Sequence, residues 1–310
     1  MYFLGIEIGG TKLQLVAGTA AGEIRTRRRR DVERSSGGAG IRAQIAAVLP
    51  ELLAEYHPAA VGVGFGGPID WRTGRIECSH QIAGWAEFPL GDWLREQTGL
   101  PVAVDNDANV AALGEARFGA GVGANPVFYI TMGSGSGGGL VVDGALYHGA
   151  KPGEAEIGHV RLDRQGTKFE DRCSGWAVDR RLRAAARDSA TSVLARLLAG
   201  AEGSEAKQLA PALAAGCGVA QRVLSEVTDD IAFGLSHVVQ LFHPEIIVLG
   251  GGLSLVGEPL RKAVAETLPR YVMDSFQPGP RVVLAGCGED AVTVGALALA
   301  GAAVNCPVNP

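Results

Sequence analysis

Asn106, Asp107 and Asn109 fall within four residues, in the stretch VDNDANVAALGEARFG that runs from Val104 to Gly119. A carboxylate set between two amides sits just after an apolar strand-like run and just before a helix-like one. Such side chains accept hydrogen bonds from the first free N–H groups of a helix, and capping is one reading of the cluster. The other is chemical: a carboxylate held at a fixed point can take a proton or orient a hydroxyl group. The stretch alone is compatible with both.

Glycine supplies the second set of candidates. The chain holds 45 glycines, clustered in GIEIGGTK (5–12), GVGFGGP (62–68), GSGSGGG (133–139) and GGG (250–252). Each cluster ends an apolar, β-branched run, where the backbone can turn sharply and approach a ligand with no Cβ in the way. Four such sites imply a cleft lined by strand ends. GSGSGG satisfies the dinucleotide pattern G-x-G-x-x-G, but that fingerprint must open a helix. Here Leu140-Val141-Val142-Asp143-Gly144 follows, a strand and a turn, and no G-x-x-x-x-G-K-[ST] occurs anywhere. What remains is a glycine hairpin whose backbone N–H groups can cradle phosphate oxygens.

The elements that must position these groups alternate. Strands are expected at Tyr2–Ile8, Lys12–Ala17, Ala60–Phe65, Val102–Val104, Val127–Met132, Leu140–Val142 and Ile246–Leu249. Tight turns are expected at Gly9–Thr11 and Gly133–Gly139. Helices are expected at Ile41–Glu55, Leu90–Gln97, Trp176–Arg187, Ala206–Ala214, Val219–Phe242 and from Ala291 onward. FLGIEIGGTKLQLVAG and VFYITMGSGSGGGLVVDG read as the openings of two similar halves. Alternation of this kind implies α/β lobes with sheets covered on both faces.

Bulk properties bound the partners. With 310 residues, 47% of them hydrophobic and 20% charged, the chain suits a soluble globular protein of two ordinary lobes. A formal net charge of −5 gives no general attraction to nucleic acid. Arg25-Thr26-Arg27-Arg28-Arg29-Arg30 reads as a solvated strand or turn edge, or else an anion-binding patch. Five scattered cysteines suit free thiols in a reducing compartment. Met1 leads directly into a strand pattern, and the most apolar stretch, 291–304, is too short to span a membrane. A cytoplasmic protein that binds neither nucleic acid nor membrane is expected.

In order along the chain, the motifs resemble those of the ROK family of sugar kinases and related repressors, within the actin-like ATPase superfamily. GIEIGGTK resembles the first phosphate loop, GFGGPID the sugar-side loop, VDNDANVAALGEARFG the catalytic segment and TMGSGSGGGLVVDG the second phosphate loop. EIGHV resembles the sugar-binding signature, and HPEIIVLGGGLS the adenosine-side segment. The resemblance implies an α/β fold of two actin-like (ribonuclease H-like) lobes with an active-site cleft between them. It divides the chain into residues 1–117, with 293–310 packing back onto them, and 118–292. It implies an ATP- and Mg²⁺-dependent hexose kinase acting on a primary hydroxyl, most like a glucokinase, and a homodimer. A polyphosphate-using glucokinase and a non-catalytic sugar-binding regulator are the alternatives. A family repressor would need a DNA-binding helix-turn-helix ahead of Gly5.

By the same resemblance Asp107 is the base that takes the sugar's proton. Gly67, Gln81, Asn106, Glu156, His159 and Glu170 surround the sugar. Gly9, Gly10, Thr11, Lys12, Gly133, Ser134, Gly135, Gly250 and Gly251 meet the nucleotide. Glu7 stands where the family usually has Asp, and is expected to touch Mg²⁺, through water if its longer arm requires. Gln81 stands where many members have Asn, which bears on the choice of hexose, and Ala155 replaces a Gly. After His159 the cysteine-rich zinc loop of many relatives is missing, Lys168 occupying the slot of its last cysteine. No zinc is expected.

Overall fold

The computed structural model describes all residues except 80–81, 152, 154, 204 and 306–310. Strands β1 (Phe3–Ile8), β2 (Lys12–Gly18) and β3 (Ile24–Asp31) lead into helix α1 (Gly37–Tyr56) and strand β4 (Val61–Phe65). A small ribbon of β5 (Ile69–Asp70) and β6 (Arg75–Ile76) precedes α2 (Leu90–Thr98), β7 (Val102–Asn106) and α3 (Asp107–Phe118). Then come β8 (Val127–Met132), β9 (Ser136–Val142) and β10 (Ala145–Leu146). Helices α4 (Phe169–Cys173), α5 (Gly175–Asp188), α6 (Val193–Leu198), α7 (Leu209–Ala214) and α8 (Gly218–Phe242) follow. The chain closes with β11 (Ile246–Gly250), α9 (Glu258–Thr267), β12 (Arg281–Leu284) and α10 (Ala291–Asn305).

The strands form two five-stranded sheets of one plan. The first is ordered β3-β2-β1-β4-β7 and the second β10-β9-β8-β11-β12, so each places its own first strand in the middle. β1 runs antiparallel to β2 and parallel to β4, which is parallel to β7. β11 is likewise parallel to both β8 and β12. The expectation of two similar halves holds in topology. Two compact units result, one of residues 1–123, 139–154 and 286–310, the other of residues 124–138 and 155–285.

In the first unit both faces of the sheet are buried, as parallel strands require. Leu4, Ile6 and Ile8 of β1 and Leu13 and Leu15 of β2 join a core with Ile41, Ile45, Leu49 and Leu52 of α1. Phe3 and Val16 face the other way and pack with Leu297 and Ala300 of α10. That helix is the apolar stretch judged too short for a membrane span. Among the described residues no helix is long and apolar enough to cross one. Its small residues permit an unusually close approach: a Cβ on Gly295 would lie 1.8 Å from the Val110 carbonyl of α3, and one on Gly62 of β4 2.0 Å from the Ala296 carbonyl.

Glu115 of α3 is fully buried. Its carboxylate accepts hydrogen bonds from the N–H groups of Ala120 (2.8 Å), Gly286 (2.9 Å) and Cys287 (2.8 Å), tying the end of α3 to the loop that enters α10. Burial and the neighbouring Glu115 push the Cys287 thiol up to about 12, so it stays protonated and serves as packing. The arginine run is edge strand β3. Arg27 pairs with Asp290 at 2.6 Å and Arg28 with Glu51, and such charges keep a sheet edge from pairing with other chains.

Two of the expected segments change type. The turn read at Gly133–Gly139 ends at Gly135, because Ser136–Val142 continues as strand β9 despite its glycines. The helix read at Ala206–Ala214 starts as a 3₁₀ turn over Glu205–Gln208 and becomes α-helical only from Leu209. Strand β12 and helices α6 and α9 were not among the expected elements.

The close seat of α10 yields a test. Gly295→Ala should lose about 1–3 kcal/mol of unfolding free energy, the usual cost of forcing extra volume into a packed core. Urea denaturation measures it, and a variant within about 0.5 kcal/mol of the parent, as for an unconstrained surface site, would refute the close contact.

Candidate functional site

Three parallel strands of the first unit stop in register. Ile8 pairs with Phe65, and Phe65 with Asn106. Ligand sites of parallel sheets form beyond such carboxyl ends, where the following loops turn away. The glycine loop after β1, the Gly66-Gly67 turn after β4 and the Asn106–Asp107 junction after β7 are thereby brought side by side. Gly66 N–H donates to the Ile8 carbonyl at 2.9 Å, and a Cβ on Gly66 would stand 3.3 Å from Asp107 Oδ2. Asn106 Nδ2 donates to the Gly67 carbonyl at 3.2 Å. A small cleft here is lined by Ile8, Gly9, Gly10, Phe65, Gly66, Ser79, Ile82 and Trp85.

The capping role falls to Asn106. Its Oδ1 accepts from the N–H groups of Ala108 (2.8 Å) and Asn109 (3.4 Å). Asp107 is then the first helical residue, where the helix dipole favours its negative charge. With Oδ1 capping and one Nδ2 proton on Gly67, Asn106 keeps one amide proton for a ligand.

Glu7 and Lys12 pair with each other at 2.9 Å, and Gln14, fully buried, donates to the second Glu7 oxygen at 2.8 Å. Lys12 thus neutralises Glu7 instead of standing as a solvated hairpin residue. Among the described residues no group of three His, Cys, Asp or Glu side chains is placed to hold a metal. Glu7 would be the residue of this group to meet a Mg²⁺ ion, one held mainly by nucleotide phosphates and water. Thr11 is exposed on the turn.

The second unit gathers the other candidates. Gly133 N–H bonds the Gly135 carbonyl at 2.9 Å, closing a tight turn, and Gly175 at the start of α5 donates to the Gly133 carbonyl at 2.7 Å. Ser134 is exposed at the tip of this turn, whereas Ser136 Oγ is buried with no hydrogen-bond partner among the described residues. Gly251, at φ +76°, lies where a Cβ would be 2.5 Å from the Met132 nitrogen, so β11 and its Gly250-Gly251 end press directly on the end of β8. An orphan hydroxyl beside a glycine turn that no Cβ fills suits the oxygens of a nucleotide's phosphates.

Glu156 and His159 flank the 3₁₀ turn Ile157–His159, and both are exposed. Gly158 sits so close to β9 that a Cβ would be 2.2 Å from the Ser136 carbonyl, and Glu170 Oε2 lies 3.5 Å from the same point. Glu170 Oε2 is also 3.4 Å from a Cβ on Gly135, so Glu170, Gly158 and the glycine turn are neighbours. Between His159 and Glu170 the chain makes a short hairpin. Leu162 N–H donates to the Thr167 carbonyl at 2.8 Å and Phe169 N–H to the Val160 carbonyl at 2.8 Å. Asp163 Oδ1 closes its tip by accepting from Gly166 N (2.9 Å) and Thr167 N (3.0 Å), and the Thr167 bonds hold its carboxyl below the usual range. Lys168 lies 3.8 Å from Glu170. Gln81 lies outside the described residues.

Sequence reasoning missed Asp105, His148 and Trp71. Asp105, 3% exposed, accepts from Asn106 N at 2.7 Å and Asn109 Nδ2 at 3.0 Å, and His148 Nε2 is 2.6 Å from its other oxygen. The one available signal was an acid inside the otherwise apolar strand VAVDN. A lone histidine 43 residues away carries none.

Residues 3–303 match the model of the ROK family. The chain is 33% identical over 308 residues to a glucokinase of Halalkalibacterium halodurans, covering 95% of this chain and 93% of that one. It is 32% identical over 304 residues to a glucokinase of Thermotoga maritima, covering 96% of each. Among solved structures, a ROK family glucokinase from Streptomyces griseus in complex with glucose and AMPPNP is similar with a TM-score of 0.84 and 31% identity, over 97% of this chain and 100% of that one. The twin five-stranded plan is that of the actin-like fold, and the chain belongs to the ROK family.

Proposed function

We propose that this chain is an ATP-dependent hexose kinase that transfers the γ-phosphate to a sugar's primary hydroxyl, with glucose as its preferred acceptor. The observation that carries the reading is Asp107, the first residue of α3, set beside two glycine turns at the in-register ends of β1, β4 and β7. Phosphoryl transfer asks little covalent chemistry of a protein. It needs a positioned hydroxyl, an acceptor for its proton and neutralisation of phosphate charge.

In this account Asp107 takes the proton of the attacking hydroxyl, a contribution of about 10²- to 10⁴-fold. The remaining Asn106 amide proton, the Gly67 turn, Gln81, Glu156, His159 and Glu170 bind the other sugar hydroxyls. Gly9, Gly10, Thr11 and the Lys12–Glu7 pair meet the phosphates on one side, and Gly133, Ser134, Gly135, Gly250 and Gly251 hold the rest of the nucleotide. Mg²⁺, when bound, neutralises charge on the β- and γ-phosphate oxygens. His159 and Glu170 are oriented by the Asp163-closed hairpin, the role that a metal serves in the cysteine-bearing version of this segment.

Two measurements test the reading. Purified protein with Mg²⁺ should phosphorylate glucose, and more slowly mannose, fructose, allose or N-acetyl hexosamines, when given ATP. Activity with polyphosphate but not ATP would replace the donor assignment, and binding of sugar without turnover would make the protein a regulator. In the second, elemental analysis of the protein as purified should find no stoichiometric zinc, and chelator treatment followed by restored Mg²⁺ should leave turnover unchanged. A closed zinc site needs four ligands, and the hairpin from Val160 to Phe169 offers no cysteine. Stoichiometric zinc whose removal abolishes turnover or unfolds the protein would refute this part of the account.

A further inference from the structure

Asp105 is a buried carboxylate with three donors around it. Oδ1 accepts from the Asn106 backbone N–H at 2.7 Å, just before Asp107, and from the Asn109 side-chain amide at 3.0 Å, two residues after it. One oxygen therefore spans the residue assigned as base, fastening the end of β7 to the first turn of α3. The other oxygen is 2.6 Å from His148 Nε2. A charge this deeply buried is tolerated only if its oxygens are bonded. Without the imidazole, Oδ2 would have to turn toward water or another donor, and the Oδ1 bonds would turn with it.

The histidine is itself held in place. Its ring stacks on Trp71 with centroids 4.1 Å apart and planes 15° from parallel, which sets the plane in which Nε2 points. Tyr147, the residue before it, donates its N–H to the Leu140 carbonyl at 2.8 Å. Lys151 ion-pairs with Asp70, so residues 148–151 are fastened twice to the Asp70–Trp71 turn. Burial would raise the Asp70 carboxyl, but the bonds from Lys151, the Arg72 N–H and Thr73 hold it below its ordinary value. The Asp70 carboxylate is thereby kept charged at neutral pH.

We infer that His148 and Asp105 are positioning residues for Asp107: the imidazole, aligned by Trp71, fixes the Asp105 carboxylate, and that carboxylate fixes the backbone and amide on either side of the base. Their effect is on where the Asp107 oxygens stand, and misplacement of a reacting group by about 1 Å can cost about 10²-fold in rate. The inference rests on Asp107 being the base, and its test separates the two claims.

Parent, Asp107→Asn, His148→Phe and His148→Gln are compared for kcat, for KM of Mg-ATP and of glucose, and for Tm. Phe keeps an aromatic face for Trp71 and removes the ring nitrogens; Gln restores a donor without the stack. His148→Phe should lower kcat by about 10- to 100-fold with KM for Mg-ATP unchanged, the pattern of an interaction realised in the transition state. His148→Gln should recover most of that turnover although it loses the stack. If the Phe variant does not fold, Asp105→Asn, which keeps the shape and weakens the acceptor, should show the same kcat loss. Parental kcat in His148→Phe beside an inactive Asp107→Asn overturns the positioning role alone, as does a Gln variant no better than Phe. Parental kcat in Asp107→Asn overturns the base assignment itself.

Discussion

Three parallel strands that end side by side at Ile8, Phe65 and Asn106 set what the first unit can do. Parallel pairing forces their following loops to leave from one edge, so the Gly9-Gly10 turn, the Gly66-Gly67 turn and the start of α3 meet there. A slip of one residue in β7 would turn Asp105 out of its buried site and carry Asn106 and Asp107 to the wrong faces. The register is defended by burial, since Val102 and Val104 pack into the core with Val61 and Val63 of β4. The position of Asp107 therefore depends on aliphatic residues of the core.

Absent Cβ atoms are the second constraint. α10 reaches α3 and β4 only because Gly295 and Gly62 offer backbone in place of side chain. α10 is in turn secured through the Glu115 carboxylate, which bonds the loop entering it and the loop leaving α3. α3 thus carries Asp107 at its first residue and the Glu115 anchor two turns on, and is stiffened at both ends. The second unit repeats the device: Gly158 lies against Ser136, and Gly251 against Met132, so the Ile157–His159 turn and the glycine end of β11 press on the two strands that flank the Gly133–Gly135 turn.

Much of this was legible in the residues. Lys12–Ala17 is marked by Leu13 and Leu15 alternating with polar neighbours, and Val127–Met132 and Ile246–Leu249 by apolar, β-branched and aromatic runs that end at glycine clusters. The six ordered motifs pointed to the ROK family and the actin-like fold, and both hold. Strand β9 was partly hidden because Gly137, Gly138 and Gly139 have no strand propensity of their own; close approach of Ala155 and Phe128 to Gly138 shows that packing requires a glycine there. β12, with Arg281 exposed and only four residues, carries no period long enough to read. The Asp163-closed hairpin looks like an arbitrary polar loop until its hydrogen bonds are seen. His148 was invisible for a different reason: its partner Asp105 and its stacking surface Trp71 are distant in sequence, and only the fold makes them neighbours.

The central claim is that Asp107 is the group placed to accept the proton of a sugar's primary hydroxyl. A structure of the protein crystallised with glucose tests it most directly. The account predicts an Asp107 carboxylate oxygen within hydrogen-bond reach, about 2.6–3.2 Å, of the sugar's C6 hydroxyl. A bound glucose whose C6 hydroxyl faces a different base, or one lying away from the ends of β4 and β7, would contradict it.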